Sequence, residues 1–103
     1  MAAVTEIRVL IAKEGEYWVA QCLEYDIGAQ ARDLDQLRGR LLTAIESERQ
    51  ESMRRHGMAF FGIDPAPRYF HELWEGRAKT FTASQPSVLA NSPEIKVQFG
   101  LAA

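Results

Sequence analysis

The sequence predicts an α+β domain: an antiparallel sheet of three to four strands with one long helix packed on one face. Three observations lead there. Residues 5–32 hold three short stretches of strand character joined by connections of a few residues. An apolar stripe at helical spacing starts directly after them, at position 34. Near the end of the chain, Ile95, Val97 and Phe99 alternate with Lys96 and Gln98, which supplies one more strand.

The first stretch places Ile7, Val9 and Ile11 on one face and Glu6, Arg8 and Leu10 on the other, as in a half-buried strand. Glu14-Gly15 reads as a tight turn, with glycine free to take positive φ. Residues 17–23 alternate again, Tyr17, Val19, Gln21 and Leu23 against Trp18, Ala20 and Cys22. The short turn makes these two strands an antiparallel hairpin. Asp26 opens a second turn, and residues 27–32 form a third strand of small side chains.

Asp33 has the chemistry of a helix N-cap, with Gln36 three residues on to complete a capping box. Leu34, Leu37, Leu41, Ala44, Ile45 and Glu48 follow at helical spacing, so this stripe should cover the sheet. Asp35, Arg38, Arg40, Glu46, Arg49 and Gln50 form the solvated side. The helix is expected to reach Arg55 and stop at Gly57. A helix of about 22 residues outruns so small a sheet, and its last turns should project or meet a partner.

Beyond it, Met58, Phe60, Phe61 and Ile63 read as a buried loop or short strand, interrupted by Pro65 and Pro67. Residues 68–77 read as a short helix with Tyr69 or Phe70, Leu73 and Trp74 on its apolar side. Residues 79–93, rich in Ser, Thr, Ala and Pro, read as a flexible connection. The chain thus divides into a βββα core, 1–57, and an extension, 58–103, within a single domain. The last strand either closes its own sheet or adds to that of a second subunit.

Composition sets limits on function. The 103 residues are 47% hydrophobic and 25% charged, which is globular, and the net charge of −2 argues against direct nucleic-acid binding. The single cysteine, Cys22, cannot form an internal disulfide and fits a reducing compartment. The first 20 residues lack a basic start, a sustained apolar core and a cleavage site, and no stretch approaches the roughly 20 apolar residues of a membrane span. A cytoplasmic protein is expected.

Catalytic signals are sparse. His56 and His71 have no Cys or His close by at ligand spacing, so no metal site is assigned. His56 suits the carbonyls at the end of the long helix. His71, between Phe70 and Glu72, is the better catalytic candidate, tuned by Glu72 or Glu75. Cys22 shows no adjacent base and reads as a core or interface residue. Glu14, Glu16, Glu24 and Asp26 lie near strand ends, where solvated charge is the simpler reading than a metal cluster. Arg49, Arg54, Arg55 and His56 are diluted by Glu46, Glu48 and Glu51. Gly28 and Gly39 are isolated, so no phosphate loop is present. Phe60, Phe61, Tyr69, Phe70, Trp74 and Phe81 read as a secondary core, part of which can serve an interface.

The run IRVLIAKEGEYWVAQCLEYDIGAQARDLDQLRGRLLTAIE, with its polar turn Lys13 to Glu16, aromatic second strand and acidic turn Glu24 to Gly28, resembles the HicB-like antitoxin family. The match covers about the first half of the chain. The resemblance implies a partial ribonuclease-H-like fold without that enzyme's acidic metal cluster, and a partner in the form of a small basic ribonuclease toxin. Two features depart from the pattern: residues 23–27 lack the usual proline, and residues 58–103 carry neither a helix-turn-helix nor a ribbon-helix-helix pattern.

The expected function is therefore a HicB-like protein-binding module, an antitoxin without a recognisable DNA-binding region, that needs no cofactor and forms a homo-oligomer. Glu24, Tyr25, Asp26, Trp18 and Trp74 are the residues expected to meet the partner. The alternatives are a small enzyme using His71 and nearby carboxylates, and an oligomeric scaffold that binds a ligand.

Overall fold

The computed structural model describes residues 5–81, 87–89 and 92–102, with side chains for residues 6–76 and 95–102. Alternation at the start of the chain becomes β1 (Thr5–Glu14), which turns at Glu14–Tyr17 into β2 (Tyr17–Cys22). Gly15 takes φ 60° in that turn. β3 (Gly28–Ala31) pairs antiparallel with β2 and forms one edge of the sheet.

α1 (Leu34–His56) begins at Asp33, whose carboxylate accepts the Gln36 backbone N–H at 2.8 Å. It ends at Gly57, which takes the left-handed conformation (φ 71°) and donates its N–H to the Met53 carbonyl. Both ends fall where the cap residues place them. Leu37, Leu41 and Ile45 are buried against Ile7 and Val9 of β1, Ala20 and Cys22 of β2, and Ala31 of β3. Full burial of each large aliphatic side chain stabilises by about 1.5–3 kcal/mol. Small residues on β2 and β3 let the helix approach closely. Leu34, expected in this stripe, is 48% exposed. It stands at the first helical position, and packing on the sheet starts one turn later at Leu37.

The second half of the chain completes the same sheet. α2 (Arg68–Arg77) leads into β4 (Ala78–Phe81), followed by β5 (Ser87–Leu89) and β6 (Ser92–Ala102). The strand order is β3-β2-β1-β6-β4, with β5 also on β6. The expected antiparallel sheet is thus corrected to a mixed one, because β6 runs parallel to β1, with Ile7 opposite Val97 and Val9 opposite Phe99. Alternation within a strand reports which face is buried and not which direction the neighbour runs. The final strand pairs within its own chain.

The expected flexible connection at 79–93 is also corrected in part. β4 and β5 both pair with the long β6, whose outer edge needs backbone partners whatever the side chains beside it. Residues 82–86 and 90–91 of that stretch lie outside the described residues.

α1 covers one face of the sheet and α2 part of the other. Leu10, on the face opposite α1, is only 3% exposed. Its neighbour across the β1–β6 register is Gly100. The Trp74 ring lies directly on Gly100: a Cβ there would sit 2.4 Å from Cζ3 of the ring. Central strands with a parallel neighbour are covered on both faces, and here a glycine makes room for the indole that does so. No helix among the described residues is long and apolar enough to cross a membrane.

Candidate functional site

β2 leaves β1 after the Val9–Cys22 pair, and the chain turns through residues 23–27. This departure strands the backbone of Arg8, and the turn itself supplies the missing partners. Leu23 donates its N–H to the Arg8 carbonyl at 2.9 Å. The Glu24 carboxylate accepts the Arg8 backbone N–H at 2.6 Å through Oε1 and the Arg8 guanidinium Nε at 2.7 Å through Oε2. One side chain thus continues the hydrogen-bond ladder where the strand has left it and neutralises the arginine beside it.

The segment after α1 straps this turn in place. Asp26 donates its N–H to the Asp64 carbonyl at 2.7 Å, and Ala66 donates to the Leu23 carbonyl at 3.0 Å. Within the turn, Ile27 bonds to the Tyr25 carbonyl and Cys22 to the Ile27 carbonyl. The Tyr25 ring stacks on Phe60, with centroids 4.4 Å apart and planes 20° from parallel. Phe60 is 4% exposed and has φ 62°, a left-handed conformation that a bulky side chain rarely adopts. Gln21 Nε2 donates to the Asp26 carboxylate at 3.0 Å and to the Cys22 carbonyl at 3.1 Å. Every residue from Leu23 to Ile27 is therefore held by a named contact.

Among the five residues expected to meet a partner, the structure brings four together. Glu24, Tyr25 and Asp26 share the strapped turn. Trp74 joins them through Arg8, whose guanidinium lies 5.8 Å from the indole centroid while bonded to Glu24. Trp18 stands apart: it packs beside the core on the α1 face of the sheet, with the Lys13 ammonium 5.3 Å from its ring. Arg8, Phe60 and Asp64 belong to the corner as well; the sequence marks Phe60 only as part of a secondary core and does not single out Arg8 or Asp64. Arg8 alternates like any outward-facing strand residue. Phe60 and Asp64 act through backbone geometry at a separation of more than 30 residues from the turn.

The corner carries three carboxylates, Glu24, Asp26 and Asp64, against the single guanidinium of Arg8, and so is net negative. Asp26 and Asp64 face solvent. Beneath it, burial and then the Glu24 charge push the Cys22 thiol up to about 12, so it stays protonated at neutral pH and is no nucleophile.

The other candidates fall elsewhere. His71 is half-buried on α2, while the neighbouring Glu72 is exposed and paired with Arg68 at 3.2 Å. His56 packs its ring 4.8 Å from that of Phe61. Of the aromatic cluster, Phe60 is buried, Phe70 and Trp74 are half-buried, Phe61 and Tyr69 are exposed, and the Phe81 side chain lies outside the described residues. Among the described residues, no group of three or more His, Cys, Asp or Glu side chains is placed to hold a metal ion. No family model, curated protein or solved structure matches this chain.

Proposed function

We propose that the chain is a HicB-like protein-binding module that neutralises a small basic ribonuclease toxin, with the strapped turn at residues 23–27 as its recognition corner. The observation that carries this reading is the corner's combination of fixed shape and negative charge. Glu24, Tyr25 and Asp26 share one turn, with Asp64 strapped to it and Trp74 joined through Arg8, on backbone already ordered by four long-range hydrogen bonds and one ring stack. A preordered surface loses little conformational entropy on binding. Negative charge steers a basic partner to it, and aromatic anchors supply the hold. The order of strands, acidic turn and capped helix is also the order on which the family resemblance rests.

The test is co-expression with a small basic ribonuclease encoded beside this chain. The expected result is a co-eluting complex in which ribonuclease activity is suppressed. Asp26→Lys should weaken that complex while leaving the thermal unfolding of the free chain little changed, because the Asp26 side chain is exposed and gives up only a surface hydrogen bond from Gln21. A ribonuclease that stays active and elutes separately overturns the reading.

A further inference from the structure

β3 is the outer strand on its side of the sheet, and an outer strand offers backbone groups to any extended chain that comes alongside. The pairing decides which groups it offers. Cys22 donates its N–H to the Ile27 carbonyl at 2.9 Å, and the register then runs Gln21–Gly28, Ala20–Ala29, Val19–Gln30 and Trp18–Ala31. Bonded and non-bonded pairs alternate in an antiparallel ladder. Ala29 and Ala31 therefore bond inward to β2, while the N–H and C=O groups of Gly28 and Gln30 point off the edge.

One of these outward groups is already bonded. Arg40, on α1, donates Nη1 to the Gln30 carbonyl at 2.8 Å. That is the length of a ladder hydrogen bond, so the guanidinium stands where the N–H of an added strand would stand. The small residues of β3 bring it within reach. Ala31 is buried, Ala29 is half-buried against the same core, and Leu37 and Leu41, which flank Arg40, are buried there too. The helix thus lies low over β3 and carries Arg40 across its rim.

The strand itself carries no deterrent. Its sequence, Gly28-Ala29-Gln30-Ala31, has neither a charge nor a proline, the two devices that ordinarily keep an outer strand from pairing with another chain. Arg40 supplies the missing charge from the helix. We infer that Arg40 is an edge guard: it closes β3 to strand addition, and without it two copies of the chain join antiparallel through β3 about a two-fold axis. Such a contact is isologous, because each copy brings the same strand with the same outward groups. In the parent chain it would break the Arg40–Gln30 bond of both copies and bring two like charges to one seam.

The inference concerns the chain alone and stands apart from the toxin-binding proposal. The experiment is sedimentation velocity on the purified chain from low to high micromolar concentration, parent against Arg40→Ala and Arg40→Met. Methionine keeps the length of the side chain and loses the donor. Both variants should form a species of twice the parent's mass, at concentrations about tenfold or more below any at which the parent does so, because a bond to a charged donor no longer has to be broken. Their circular dichroism should match the parent's, since position 40 is exposed and both replacements are good helix formers. Adding Gln30→Pro to Arg40→Ala should restore the parent's sedimentation, because proline there removes an outward N–H and no bond to β2. Arg40→Ala and Arg40→Met that sediment as the parent does, or an assembly that Gln30→Pro leaves undiminished, overturn the inference.

Discussion

A single methyl group at position 100 probes the packing of α2 on the sheet. In Gly100→Ala the new Cβ would lie 2.4 Å from Cζ3 of Trp74, and 3.0 and 3.1 Å from Cη2 and Cε3. Ordinary contact starts near 3.4 Å, so the indole must retreat by roughly 1 Å or the strand must give. Overpacking of this kind costs about 1–3 kcal/mol. For a domain of this size that is a fall in Tm on the order of 5–20 °C.

The retreat also uncovers Leu10 and lifts the indole away from Arg8, so the loss should appear in Trp fluorescence as well as in the thermal transition. The decisive comparison is a double-mutant cycle with Trp74→Ala. Once the ring is gone, Gly100→Ala meets open space, and alanine is slightly better than glycine in a strand. Its cost should therefore fall to near zero or reverse, giving a coupling of about 1–3 kcal/mol. Equal destabilisation by Gly100→Ala in both backgrounds would refute the placement of Trp74.

Other perturbations follow from the same contacts. Asp33→Ala removes the cap on α1 and should cost about 1 kcal/mol in denaturant unfolding, with Asp33→Ser close to the parent. Cys22 should resist thiol reagents in the folded chain and react only on unfolding. Its folded value lies above the 9.0 of an ordinary thiol, so its contribution to stability is complete below that pH and is lost as pH rises toward 12; Cys22→Ala should flatten this part of a stability–pH profile. Hydrogen bonds from Arg54 and then Arg55 hold the Glu51 carboxyl below its ordinary 4.5. Its small surface contribution is therefore present above that pH and lost as pH falls through the lower folded value, and Glu51→Gln should remove this acid dependence from the unfolding profile.

The parts of the fold legible in the sequence are those fixed by local rules. Asp33 and Gly57 mark the ends of α1 because capping chemistry acts over three or four residues. Leu37, Leu41 and Ile45 were recognisable as core because one helix face meets one sheet face. The direction of β6 was not legible, since Ile95, Val97 and Phe99 alternate alike beside a parallel or an antiparallel neighbour. β4 and β5 were hidden because strands of four and three residues are too short to show an alternation within a stretch otherwise rich in Ser, Thr, Ala and Pro. In the strapped turn, Glu24, Tyr25 and Asp26 stood out as acidic and aromatic. Their link to the residues that fix them was not legible: Arg8 through its backbone N–H, Phe60, marked only as core, through a left-handed φ, and Asp64 through its carbonyl. Each acts through long-range geometry that charge and hydropathy do not encode.

The most direct test of the protein-binding account is a nuclear magnetic resonance titration of the isotope-labelled chain with a small basic ribonuclease of the proposed toxin type. The account predicts saturable shifts centred on Glu24, Tyr25, Asp26 and Asp64, with the Trp74 indole N–H moving at the same ratio of partner to chain. Shifts confined to α2 around His71, or a spectrum unchanged by a molar excess of the ribonuclease, would contradict it.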